Sequence, residues 1–204
     1  MSGRLADQFL PAFDVSCELA VVVEADPDRV WTALMDLDLI ELARRRRLVA
    51  VLGAIRALPE IVRGALHGRR PPAPPKRLTL RESTELPEGQ GNWTLLDERP
   101  GEELALGLVG KFWRPVIEYA AVDAKRFMEF AEPDFAKTVY ALGVRPLDGG
   151  PTLLWATMRT ATTTEHARLW FRRYWTLGVG SGAQVLVTSL LETVRDECEA
   201  VVTA

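Results

Sequence analysis

Arg159 and Lys137 each interrupt an otherwise apolar run, residues 152–162 and 135–146. A charge turned into the protein must find a partner, because an unpaired buried charge is costly. The plain reading turns both side chains outward into water. The alternative points one or both into a cavity, where they would hold a ligand carboxylate or hydroxyl. Arginine suits that role because its donors form a planar fork.

The other reactive side chains are few. Cys17 and Cys198 stand far apart, and His67 and His166 are the only histidines. That inventory cannot build a typical zinc site, so no metal and no cofactor are expected, and the thiols should be reduced. His166 lies near a helix start with no orienting acid visible, which leaves a surface histidine as the plain reading. Gly178-Val179-Gly180-Ser181-Gly182 lacks the preceding strand of a dinucleotide fingerprint and the spacing of a hydrolase elbow. Small residues that let a helix approach a sheet explain it better. The acid pairs Asp97-Glu98 and Glu102-Glu103 sit at turns and read as solvated.

Aromatic residues crowd the second half: Trp93, Phe112, Trp113, Tyr119, Tyr140, Trp155, Trp170, Tyr174 and Trp175. Any one of them reads first as core packing. Together they suit an apolar pocket with a few polar groups. The expected lining is Phe112, Tyr140, Trp155, Arg159, Lys137 and Trp175, between the sheet and the last helix. Strand alternation puts Leu153, Trp155, Thr157 and Arg159 on one face.

The 204 residues are 48% hydrophobic and carry a net charge of −3, which fits one globular domain, with its core at 17–200. From Arg44 to Arg81 there are eleven basic residues and one acid, Glu60. A solvated helix face is the plain reading. A weak contact of Arg44, Arg45, Arg46 and Arg47 with an anionic membrane is the functional one. No nucleic-acid partner is expected. The first eleven residues do not read as a signal peptide and no apolar window is long enough to span a bilayer, so a cytoplasmic location is expected.

Residues 17–24 predict a strand, and Asp26-Pro27 a helix start. A helical segment is expected over about 38–68, bent near Gly53 and Pro59, then a stiff proline-rich connector at 71–75. Strands are expected at 77–83, 92–97, 104–113, 116–120, 135–146 and 152–162, with a short helix at 123–130. Asp148-Gly149-Gly150 signals a hairpin. Thr164 can cap a long final helix, whose apolar face is Ala183, Val187, Leu190, Val194, Cys198 and Val201. The glycines at 178–182 predict a kink.

This element order resembles the START-like (SRPBCC) helix-grip superfamily, which includes polyketide cyclases, lipid-transfer domains and Hsp90-activator homologues. The opening VVVEADPDRVWTALMDLD resembles the strand and Asp-Pro helix start of its bacterial members. GLVGKFWRP, FAEPDFAK and RLWFRRYWTL resemble a group of bacterial proteins within it. The resemblance covers roughly residues 17–199. It implies an α+β helix-grip fold, a curved seven-stranded antiparallel sheet wrapped around a long C-terminal helix. It also implies a binding or carrier protein for a small, largely apolar molecule such as a lipid, polyketide or aromatic metabolite. A cyclase or dehydratase and a protein-interaction module are the alternatives, with an enzyme the less favoured of the first two readings.

Overall fold

Local signals place the helices that flank the sheet. The Asp26 carboxylate accepts from the Arg29 amide at 3.0 Å, and Pro27 opens helix α2, Pro27–Asp36. In a computed structural model, residues 3–45, 77–84 and 93–200 are described. They form a short helix α1 (Leu5–Phe9), strand β1 (Val15–Val23), α2, α3 (Leu39–Arg45) and α4 (Leu80–Thr84). Strands β2 (Thr94–Arg99) and β3 (Glu103–Gly110) follow, then α5 (Ala124–Glu129), β4 (Ala136–Pro146) and β5 (Thr152–Thr162). The chain ends in α6 (Glu165–Tyr174), a wide turn at Trp175–Val179, and α7 (Gly180–Ala200).

The five strands form one antiparallel sheet in the order β1-β5-β4-β3-β2. Two of the seven expected strands are absent from the described residues, which corrects the expected sheet. Residues 77–83 make a single bridge, Thr79 to Asp38, before α4 begins. The Thr79 hydroxyl accepts from the Glu82 amide at 3.1 Å and Glu82 Oε2 accepts from the Thr79 amide at 2.7 Å. That reciprocal capping box stops strand propagation. Residues 116–120 make only the bridge from Tyr119 to Gly110. Of the helical segment expected at 38–68, α3 forms. Residues 46–68 and the connector at 71–75 lie outside the described residues.

The hairpin between β4 and β5 turns where expected, with Gly149 at φ +95° and Gly150 at φ +111°. A side chain there would be strained, so glycine suits both positions.

Alternation divides the sheet into two buried faces. On one, Leu104, Leu142 and Leu154 pack with Leu34 of α2 and with Val187, Leu191 and Val194 of α7. On the other, Ala105, Val139, Ala141 and Trp155 pack with Leu5, Ala6 and Phe9 of α1 and Phe127 of α5. A third cluster closes one end of the sheet, where Phe171 of α6 meets Phe112 and Ala136.

Five residues make α1 too short to be stable in isolation. It is held by its apolar side and by a buried carboxylate, Glu103. Glu103, 4% exposed, accepts from the Leu5 amide at 2.9 Å and from Arg99 Nη1 at 3.4 Å. Burial pushes the Glu103 carboxyl above its ordinary value of 4.5, against the Leu5 amide and Arg99, which pull it down. A carboxyl raised on folding favours the protonated native state. Its contribution to stability therefore falls as pH rises from the ordinary glutamate range through the raised value. Glu103→Gln keeps an acceptor for Leu5 and should flatten that fall. Glu103→Ala should cost about 1.5–3 kcal/mol, the range for a hydrogen bond to a charged group. Urea denaturation across acid to neutral pH measures both.

Candidate functional site

The face of the sheet beneath α6 and α7 carries two apolar clusters with a softer band between them. Strand register defines the band. Cys17 of β1 pairs with Met158 of β5, Met158 with Tyr140 of β4, Tyr140 with Leu106 of β3, and Leu106 with Leu95 of β2. The next row toward α6 is Val15, Thr160, Thr138 and Leu108. Leu106 belongs to the larger cluster under α2 and α7, while Val15 and Leu108 pack on the end cluster around Phe171. Cys17 and Met158, though buried, belong to neither.

The polar groups of the band are all neutral. The Thr138 and Thr160 hydroxyls share a hydrogen bond of 2.9 Å. Burial pushes the Cys17 thiol up, while a hydrogen bond with Gln184 of α7 opposes the rise. The thiol stays protonated at neutral pH, so it is a poor nucleophile. Burial also raises the Tyr140 phenol, with Cys17 adding to the effect, so its hydroxyl remains a donor. Tyr140 is half-buried, and the Trp93 ring meets it edge-on with centroids 6.0 Å apart. Among the described residues no hydrogen-bond partner reaches the Tyr140 hydroxyl. The band therefore combines apolar side chains with neutral hydroxyl, thiol and amide groups.

The six residues expected to line one pocket are divided among three places. Tyr140 lies in the band. Phe112 and Trp175 lie in the end cluster, 6.4 and 5.9 Å from the Phe171 ring between centroids. The Trp175 indole covers Gly180, where a β-carbon would stand 2.7 Å from its nitrogen. Trp155, Arg159 and Lys137 face the other way. Trp155 and Arg159 do share a face, but α1 covers that face, which corrects their expected approach to the C-terminal helix. Arg159 Nη1 donates to Asp7 at 2.7 Å and to the Leu10 carbonyl at 3.5 Å, and its guanidinium lies 4.7 Å from the Phe13 ring centre. Lys137 donates to the carbonyls of Phe127 and Met128 at 3.3 and 3.2 Å. Burial lowers its ammonium.

His166 has the orienting acid that the sequence did not reveal. Its Nδ1 lies 3.0 Å from Asp134 Oδ1, and its Nε2 accepts from the Trp170 indole at 3.1 Å. The Thr164 hydroxyl also donates to Asp134, at 2.8 Å, and accepts from the Ala167 amide. Those bonds from Thr164 and His166 hold the Asp134 carboxyl below its usual range. Both ring nitrogens are engaged, so this exposed group reads as a cap for α6.

A groove of about 490 Å³ runs between α2 and α7, lined by Asp28, Arg29, Thr32, Ala33, Asp36, Glu197 and Cys198. Its three carboxylates make it unlike an apolar binding chamber. Among the described residues no group of three or more His, Cys, Asp and Glu side chains could hold a metal ion.

No family model and no curated protein matches the chain. It is similar to a solved structure of a conserved protein from Geobacillus kaustophilus, at 13% identity and a TM-score of 0.38, over 90% of this chain and 95% of that one. It is also similar to the ZhuI aromatase/cyclase from Streptomyces sp. R1128, at 11% identity and a TM-score of 0.31, over 92% and 97%. CalU16 from Micromonospora echinospora is another such structure, at 14% identity and a TM-score of 0.27, over 93% and 88%. The architecture itself is α+β, a five-stranded antiparallel sheet with a long, broken C-terminal helix.

The band was hidden from sequence reading for a specific reason. Met158 and Cys17 are neither aromatic nor charged, and only the register of β1 on β5 puts them beside Tyr140. The alternation of β4 would have linked Thr138 to Tyr140, but nothing local says which face α7 covers.

Proposed function

We propose that the chain binds a small, largely apolar molecule between the sheet and the α6–α7 arm, in the manner of a helix-grip protein. The observation that carries this reading is Tyr140. Its ring is half-buried and its hydroxyl has no hydrogen-bond partner among the described residues, on a band that two apolar clusters leave between them. A hydroxyl with no protein partner is free to bond a ligand hydroxyl or carbonyl. The ligand body would lie on Met158, Leu106, Leu95 and the Trp93 ring. Met158 suits varied shapes because its side chain is unbranched and polarizable.

Native mass spectrometry of the purified protein, followed by titration with 1-naphthol and naphthalene, tests the reading. Tyr140→Phe should weaken 1-naphthol about tenfold, as expected for the loss of one hydrogen bond, and leave naphthalene unchanged. Met158→Trp should abolish binding of both probes while leaving the protein folded. A protein that carries no small molecule, binds neither probe and unfolds on Met158→Trp has a filled interior, and the reading fails.

A further inference from the structure

The α6–α7 arm carries a second feature, independent of the band. From Arg168 to Leu191 the chain has three arginines and no carboxylate. Arg168 is tied to Asp14 at 2.8 Å and to Glu165 at 2.6 Å. Arg172 and Arg173 pair with no carboxylate among the described residues, and the Arg173 guanidinium lies 5.4 Å from the Trp170 ring centre.

Around these two cations the large apolar side chains face solvent: Leu169 is 54% exposed, Trp170 45% and Leu177 85%. Trp170 and Arg173 follow i, i+3 spacing within the regular helix, which puts them side by side, and Leu177 stands in the turn just beyond it. The wide turn explains the exposure of Leu177. Gly178 at φ +108° breaks the helix, and Leu177 departs from helical geometry beside it.

One exposed leucine needs no explanation, but a patch of leucine, tryptophan and unpaired arginine does. The segment from Glu165 to Ala200 contains a stretch long and apolar enough to cross a bilayer, and only 28% of that stretch is buried. The helix cannot leave the fold to span a membrane, because Val187, Leu191 and Val194 are packed in the main core. The exposed large apolar side chains of the arm are Leu169, Trp170, Leu177 and Leu186.

We infer that the α6–α7 elbow docks on the surface of an anionic membrane, with Trp170 and Leu177 entering the headgroup boundary and Arg172 and Arg173 meeting the lipid charges. Tryptophan is favoured at that depth because its ring is amphipathic, and arginine can keep its head in the polar layer while its stem lies on apolar surface. A charge pair free of competing carboxylates gives the surface its sign preference.

The test is flotation of the full chain with vesicles of phosphatidylcholine alone, or of equal parts phosphatidylcholine and phosphatidylglycerol. Binding should require phosphatidylglycerol and should fall steeply with added salt. Leu177→Gln should reduce partitioning about tenfold. Arg172→Gln and Arg173→Gln should each reduce it about fivefold. Leu177 is exposed and outside regular helix, so Leu177→Gln should keep the wild-type thermal midpoint, which circular dichroism checks. Equal binding to both vesicles, or wild-type binding by Leu177→Gln, overturns the inference. Binding lost only when Arg44, Arg45, Arg46 and Arg47 become Gln also overturns it, by moving the contact to the basic segment. A dimer in sedimentation velocity that Leu177→Gln dissolves would assign the patch to a second copy instead.

Discussion

Phe171→Ala should lower stability by about 3–5 kcal/mol, the range for truncating a well-packed phenylalanine. Phe171 is 2% exposed and is one of only two buried residues in α6, the other being Ala167. Its ring is stacked on Trp175 at 30°, meets Phe112 edge-on at 65° and lies tilted against Tyr174 at 49°. Three rings around one vacated volume cannot all close it, because each is held from another side. The side-chain cap at Thr164 would keep the first turn of α6 in place, so the damage should concentrate beyond it. Urea midpoints should fall with little change in slope, and Phe171→Leu should recover most of the loss. The effect should reach binding as well, since Phe112 and Trp175 close the end of the band and would lose their shared neighbour. A loss below about 1 kcal/mol would show that the end cluster is loosely packed, since ordinary surface changes already reach half that size.

The sequence reveals most where a signal is local. The Asp26 cap, the Asp123 cap of α5 and the Thr164 cap of α6 all make the expected amide bonds, to Arg29, Arg126 and Ala167. The Gly149-Gly150 turn and the break at Gly178 depend only on the few residues around them. The errors have equally physical causes. Residues 77–83 alternate like a strand, yet Thr79 and Glu82 satisfy each other's amides and start a helix. A Thr-x-x-Glu pattern was there to be read. Residues 116–120 follow Pro115, and their pairing with β3 lasts for one bridge. Helix α1 has too few residues to show a period, so nothing announced a cover for the second face of the sheet. That omission explains the site error. The parity of β5 is legible, and Trp155 and Arg159 do fall together. Which parity faces α7 is a property of the assembled fold.

Arg159→Ala should then loosen α1 and leave probe binding intact. Its side chain is 10% exposed, whereas Asp7 and Glu18, which lie 2.7 and 3.8 Å from it, are 54% and 51% exposed. Truncating the arginine frees two carboxylates that water can reach, so the full penalty of a stranded buried charge does not apply. What is lost is a charged hydrogen bond to Asp7, a contact with the Leu10 carbonyl and the packing of the guanidinium on Phe13. A cost of about 2–3 kcal/mol follows from a charged hydrogen bond plus a cation–π contact at a partly exposed ring. Amide exchange should locate the loss, with Leu5 to Phe9 opening well before the sheet. Asp7→Asn in the Arg159→Ala background should then cost much less than it does alone, because the two side chains act as one unit. Binding of 1-naphthol and of 1-naphthoic acid should not distinguish Arg159→Ala from the parent chain. If Arg159→Ala instead weakened only the acid, with exchange in α1 unchanged, Arg159 would be a ligand contact, and α1 would have to move aside for the acid to reach it.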